Sequence, residues 1–174
     1  MQLSESQDHS QDRAHDEQAP SPPTRNDCAG AIAALRDAFG DDVLTTASVR
    51  EQYGRDESFH RPHPPDAVIM PRDKREAQRI VRICAAHSTP IIPHGAGTSL
   101  EGNIAALDGG VCVDSARMNR ILSVNADDFD AVVQPGVTRR QLNQHLKGSG
   151  LFFPIDPGAD ATLGGMAATR ASGT

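Results

Sequence analysis

Apolar residues recur along the chain either at helical spacing or in short unbroken runs, and the two patterns divide it into helices and strands. In "DCAGAIAALRDAFG" (27–40), Ile32, Leu35 and Phe39 share one helical face, and Gly40 stands where a helix-ending glycine belongs. "DDVLTT" (41–46) reads as a short strand and "SVREQYG" (48–54) as a helical turn. "DAVIMP" (66–71) is an apolar run closed by proline, the pattern of a buried strand. The next helix has the strongest signal. Asp73 and Glu76 make a capping-box spacing, and Ala77, Ile80, Val81, Cys84 and Ala85 follow at helical period. "PIIPHG" (90–95) is a second short strand. Strand, helix and strand at this spacing predict a βαβ unit with a parallel pair.

Beyond residue 95 the texture changes. "GGVCVD" and "ILSVNADDFDAVVQPG" predict an antiparallel strand region with turns at Gly109-Gly110 and Asp127-Asp128. A helix starts at Thr138, which forms a capping box with Gln141; Val137 and Leu142 make the hydrophobic staple, and Gly148 ends the helix. The remainder, "FFPIDPGADATLGGMAATRASGT", reads as loop. Twelve of the fifteen glycines lie at or after Gly95, so the second half is where backbone approaches something closely.

Length and charge narrow the picture. A chain of 174 residues with 37% hydrophobic content suits one domain with a real core. Residues 1–26 are polar and aperiodic and predict a disordered tail, leaving 27–174 for the domain. A net charge of −6 with no Lys/Arg run argues against a nucleic-acid partner, and no apolar stretch is long enough to cross a bilayer. The first residues carry no signal-peptide pattern, and their acids oppose a mitochondrial transit peptide. Cys28, Cys84 and Cys112 are odd in number, with no C-x-x-C, which points to a reduced cytoplasmic protein with inert thiols.

The candidate chemistry lies in "PHGAGTSLEGN" (93–103), where two glycines follow a strand one residue apart. A P-loop needs a lysine after its second glycine, and none occurs between Lys74 and Lys147. A Rossmann fingerprint needs a third glycine opening a helix, but its position is Leu100 and a strand follows. A non-helical loop of backbone donors remains, suited to an anion. The second glycine-rich segment adds Gly158, Gly164, Gly165 and Gly173, with Thr162, Thr169 and Ser172 between them. Two such segments in one domain suit an extended ligand with a diphosphate at its middle.

"PHGAGTSLEGN", "VVQPGVTRRQLNQHL" and "LFFPIDPGADATLGGMAATRASGT", with "YGRDESFHRPHPPDAVIMPRD" as an entry segment, resemble the FAD-binding domain of the vanillyl-alcohol oxidase/p-cresol methylhydroxylase superfamily. Within it the resemblance is strongest to the D-lactate dehydrogenase (cytochrome) and glycolate oxidase branch. It implies an α+β fold of the p-cresol methylhydroxylase type, a small βαβ layer beside antiparallel strands. It further implies that Gly95, Ala96, Gly97, Thr98 and Ser99 cradle the FAD pyrophosphate. Pro157, Gly158, Thr162, Gly164 and Gly165 would line the cofactor from the other side, with Thr169, Ser172 and Gly173 as further contacts and Pro135 and Gly136 near the adenine. In relatives with histidyl-linked flavin a histidine lies within the first loop. The aligned position here is Thr98, so the resemblance implies non-covalent FAD.

The implied activity is oxidation of a D-2-hydroxy acid such as D-lactate, with hydride passing to flavin N5 and electrons to a cytochrome or quinone. A glycolate oxidase FAD subunit and a non-catalytic flavin-binding module are the alternatives. Family members continue past the point matching Thr174, into the parts that carry catalytic histidines and metal ligands. The expectation is therefore a fragment with no catalytic residue or metal of its own, inactive alone and completed by a partner chain. Other polar residues have ordinary explanations. His60 and His63 sit among prolines without a ligand set, His94 reads as a neutral loop residue or as a neighbour of the flavin phosphates, and His145 lies beside a helix stripe. Asp156 and Asp160 are explained by turn formation.

Overall fold

The computed structural model describes residues 28–172. The tail expected over 1–26 lies outside the described residues, as does Gly173. The chain opens with α1 (Ala29–Phe39), which buries Ala31 and Leu35 and closes at Gly40 with φ 57°. β1 (Val43–Leu44), α2 (Ala47–Tyr53) and β2 (Ala67–Ile69) follow, each where the sequence predicts it. Next come α3 (Lys74–Ala86), β3 (Ile91–His94), β4 (Val111–Asp114), the pair β5 (Ile121–Asn125) and β6 (Asp130–Val133), α4 (Arg139–Leu146) and α5 (Leu163–Thr169).

The first sheet has the order β1-β2-β4-β3, with β1 antiparallel to β2 and both β2 and β3 parallel to β4. The predicted βαβ unit exists as β2-α3-β3, but its strands do not pair. β4 lies between them. "GGVCVD" is thus a central strand of the parallel layer and not the start of the antiparallel region. Burial explains the placement: β2 is buried throughout, and Val111 and Cys112 are fully buried, as central strands require. Gly110, at φ 119°, turns the chain tightly into that slot. Asp66 N donates to Gly110 O at 2.7 Å, and Val111 N donates to Pro90 O at 2.9 Å. The antiparallel region is the β5–β6 hairpin, with one isolated antiparallel bridge between Thr138 and Thr162.

The main core joins Leu35 of α1, Val43, Ala67, Ile69 and Val111 of the sheet, and Ile80 and Cys84 of α3. Ile83 packs against it, whereas Val81 is 48% exposed and Ala85 is also exposed. The inward stripe of α3 is therefore 77-80-83-84, with Ala77 half-buried, and it is turned away from the predicted 81 and 85. Asp73 caps the helix as expected, accepting from Arg75 N and Glu76 N. Glu76 reaches one residue further back, taking Arg72 N at 2.7 Å.

A second cluster, Val137, Leu142 and Leu146, packs beneath the hairpin with Ile121, Val124 and Val133. The staple pair Val137–Leu142 is part of it. Thr138 accepts from Gln141 N at 3.1 Å, but the Gln141 side chain donates to Asn119 O rather than closing the box. The terminal segment, read as loop, contains α5. Its Gly-Gly pair hides the helix from propensity, yet Thr162 supplies an N-cap to Gly165 N and Met166 is buried.

The α3 stripe is open to test by urea denaturation followed by circular dichroism. Ile80→Ala should cost about 2–5 kcal/mol by leaving a cavity. Val81→Ala should stay within about 0.5 kcal/mol. Equal losses at both positions would return the predicted face.

Candidate functional site

β3 and β4 run in parallel and release the chain at the same edge of the sheet, the place where α/β layers put their ligands. From β3 the chain enters Gly95–Ser99, and from β4 it enters a 3₁₀ turn, Ser115–Arg117. α5 lies across this edge. Between them is a cleft of about 690 Å³.

The two glycine segments meet in this cleft. A Cβ on Gly95 would overlap Thr162 Oγ1 and stand 3.7 Å from Gly165 Cα, so the first loop touches the opening turn of α5 directly. A Cβ on Gly164 would lie 2.6 Å from Pro135 Cβ, and Gly164 N donates to Pro135 O at 2.9 Å. Gly97 takes φ 69°, a left-handed value that side chains rarely adopt. The cleft is bordered by Gly95, Ala96, Gly97, Thr98, Ser99, Pro157, Thr162, Gly164, Gly165 and Thr169 of the predicted set, with Pro135.

Two described residues of the predicted set are not in that wall. Gly158 forms an exposed turn at φ 82°, where its N–H donates to Asp156 Oδ1. Ser172 lies exposed past the end of α5, and Gly173 is outside the described residues. Gly136 also stays out of the cleft: its missing Cβ lets the backbone pack on Ser115 O and Met118 O. Asp156 and Asp160 do form turns, and they also pair with α4. Arg139 Nη1 contacts Asp156 Oδ2 at 3.0 Å, and Arg140 N donates to Asp160 Oδ1 at 3.1 Å. His145 is exposed on α4.

The floor of the site is built on His94, which sequence reasoning weighed, and on Tyr53 and Asp114, which it missed. His94 closes β3, within the strand expected over 90–95, and its side chain is 13% exposed. Its ring packs edge-on against Tyr53 at 4.8 Å, and its Nδ1 stands 3.9 Å from Asp114 Oδ1. Tyr53 Oη donates to Asp114 Oδ2 at 2.7 Å, and Ala116 N donates to Asp114 Oδ1 at 2.9 Å. Burial by itself would raise the Asp114 carboxyl; His94, Tyr53 and Ala116 N outweigh it and hold the carboxyl below the usual range. Burial first, and then the Asp114 charge, push the Tyr53 phenol upward. A carboxylate ending the apolar run "VCVD" was the available signal. The apolar wall residues Ile104, Met118 and Met166 carried none.

The thiols fit the inert reading. Cys28, Cys84 and Cys112 are buried and free of disulfides. Burial pushes Cys84 up to about 11 and, with the Asp114 charge, Cys112 up to about 12, so both are protonated at neutral pH. Among the described residues no three His, Cys, Asp or Glu side chains group as metal ligands. No described helix is long and apolar enough to cross a membrane.

Residues 65–174 match the family described as FAD binding domain. The chain is 51% identical over 144 residues to the probable mitochondrial D-lactate dehydrogenase of Danio rerio, an alignment covering 82% of this chain and 29% of the relative. It is 40% identical over 145 residues to the mitochondrial D-lactate dehydrogenase (cytochrome) of Arabidopsis thaliana, covering 82% and 26%. Among solved structures it resembles alkyldihydroxyacetonephosphate synthase, with TM-score 0.75 and 25% identity over 86% of this chain and 30% of that one. The chain thus spans under a third of the length of these proteins.

The Asp114 cluster gives the stability a pH dependence. Its carboxyl ionises lower in the folded than in the unfolded chain, where the value is about 3.9. The stabilisation is therefore complete above that value and is lost as pH falls through the folded one. Melting temperatures taken from about pH 6 down to about pH 3 should fall more steeply for wild type than for Asp114→Asn. Parallel curves would show that Asp114 is not a depressed acid.

Proposed function

The chain belongs to the FAD binding domain family, with FAD as its cofactor, and on that premise we propose that it serves an oxidoreductase acting on a D-2-hydroxy acid such as D-lactate. The observation that carries the proposal is the meeting of Gly95 with Thr162 and Gly165 at the mouth of an otherwise uncharged cleft. That cleft fits the group. Its volume, about 690 Å³, lies within the range of about 300–1,000 Å³ that cofactor-sized sites occupy. Where Cβ atoms would have filled space, glycine leaves backbone open to approach.

Gly95, Ala96, Gly97, Thr98 and Ser99 would hold the diphosphate through backbone N–H groups, which neutralise an anion without a basic side chain. Pro157, Thr162, Gly164, Gly165 and Thr169 would close on the cofactor from the α5 side. Ile104, Met118 and Met166 keep water from the apolar part of the cleft. When bound, FAD supplies the redox chemistry, drawing two electrons from the hydroxy acid and passing them to a cytochrome or quinone. The names of the two dehydrogenase relatives support this substrate class. No histidine, cysteine or tyrosine lies within Gly95–Ser99, which supports a cofactor held without a covalent bond.

Acid precipitation of the purified full chain should leave yellow FAD in the supernatant, and D-lactate should reduce a dye acceptor in the presence of the complete enzyme. Flavin retained in the washed pellet would overturn the non-covalent reading. Gly97→Val should abolish FAD binding, because a β-branched residue resists φ 69° and crowds His94. Cys84→Ala should lower stability and leave flavin occupancy intact. Equal occupancy in Gly97→Val and wild type would reduce the loop to a turn.

A further inference from the structure

An anionic diphosphate in this cleft meets an unusual wall. None of the residues bordering it is Lys, Arg, Asp or Glu, and His94 is the one ionisable side chain among them. Resting on the reading that FAD occupies the cleft, we propose that His94 takes up a proton when the cofactor's diphosphate binds, with Asp114 as the counter-charge behind it.

The ring is held between two faces. Its Nδ1 is buried, makes no hydrogen bond, and stands 3.9 Å from Asp114 Oδ1. Its Nε2 points the other way and lies 3.1 Å from where a Gly97 Cβ would be, directly against the glycine loop. A carboxylate facing Nδ1 favours the tautomer with its proton there. In that neutral form Nε2 presents a lone pair to the loop, which repels an anion. Protonation converts Nε2 into a donor and leaves an imidazolium between two negative groups, the arrangement that most favours its charge. The proton comes from solvent, and no other group has to change.

The other groups around the ring are fixed or distant. From α2 it meets Tyr53, whose phenol stays protonated because burial and Asp114 raise it. From β4 it meets Asp114, pinned by Tyr53 Oη and Ala116 N. Ser115 Oγ donates to the His94 carbonyl at 3.2 Å. The loop residues Gly95–Ser99 bring no ionisable side chain, and Glu101 beyond them is exposed.

FAD is titrated into the apo full chain at several values between pH 6 and pH 8, by flavin fluorescence and by calorimetry in buffers of different ionisation enthalpy. For wild type, Kd should weaken about tenfold across that interval, where imidazole changes charge, with uptake of up to about one proton. His94→Gln should bind FAD with a Kd nearly independent of pH and without that proton. A role in packing alone would leave the pH slope in place. A flat wild-type profile, a wild-type proton count of zero, or a slope that survives in His94→Gln each overturns the proposal. Should the variant fail to fold, the wild-type proton count still decides. FAD that binds without proton uptake leaves the cofactor reading standing and removes only this one, whereas no FAD binding at any pH removes both.

Discussion

The seam between the parallel layer and the hairpin half is made where backbone meets backbone. Gly95 abuts the first turn of α5, Gly164 abuts Pro135, and Gly136 abuts the 3₁₀ turn after β4. Each contact is closer than any side chain allows, so each fixes a glycine. The cleft exists because the same seam that draws the two halves together carries no side-chain bulk to fill it. α5 depends on it most. Its register is set by Leu163 N on Val137 O at 2.7 Å and Gly164 N on Pro135 O at 2.9 Å, with Thr162 capping the helix.

Charge is distributed accordingly. Three arginines outside the cleft wall are held in ion pairs: Arg72 and Arg117 with Asp42, at 2.6 and 2.9 Å, and Arg139 with Asp156. Solvent and salt screen such pairs, so they add little to stability. Their value here is placement. Asp42 ties the start of α3 to the turn after β4, and Asp156 ties the second cofactor segment to α4. With no Lys or Arg in the cleft wall, an anion there depends on backbone dipoles and on His94.

How much of this was legible follows the reach of each signal. Gly40 after α1, Asp73 before α3, and the Thr138 cap with the Val137–Leu142 staple are all decided within one helical turn, and the sequence shows them. The insertion of β4 between β2 and β3 is decided by partners more than forty positions apart, such as Asp66 with Gly110, and no local pattern encodes it. Both glycine segments were visible as glycine, and their shared role on one extended ligand was read from their composition before the resemblance named it. Gly158 has the same composition signal as Gly165 yet serves an exposed turn, since glycine marks permissive backbone without saying what approaches it. The Tyr53–Asp114 bond links residues 61 positions apart and left no motif at all.

That bond also explains how a weak helix came to support the site. α2 has seven residues, no side-chain cap and no buried residue, so neither propensity nor apolar burial holds it. It is fastened by polar contacts at two points: Arg50 Nε donates to Pro65 O at 2.6 Å, and Tyr53 Oη donates to Asp114. Burying the Asp114 carboxylate is costly, and it becomes tolerable because two donors and the edge of His94 surround it. An apolar pair at 53 and 114 would hold α2 as well and spare that cost. What it would remove is the fixed negative charge behind His94 and the aromatic edge that orients the ring. The position of α2 is thus coupled to the floor of the cleft, so that the least stable element of the first half is anchored by the most highly charged part of its interior.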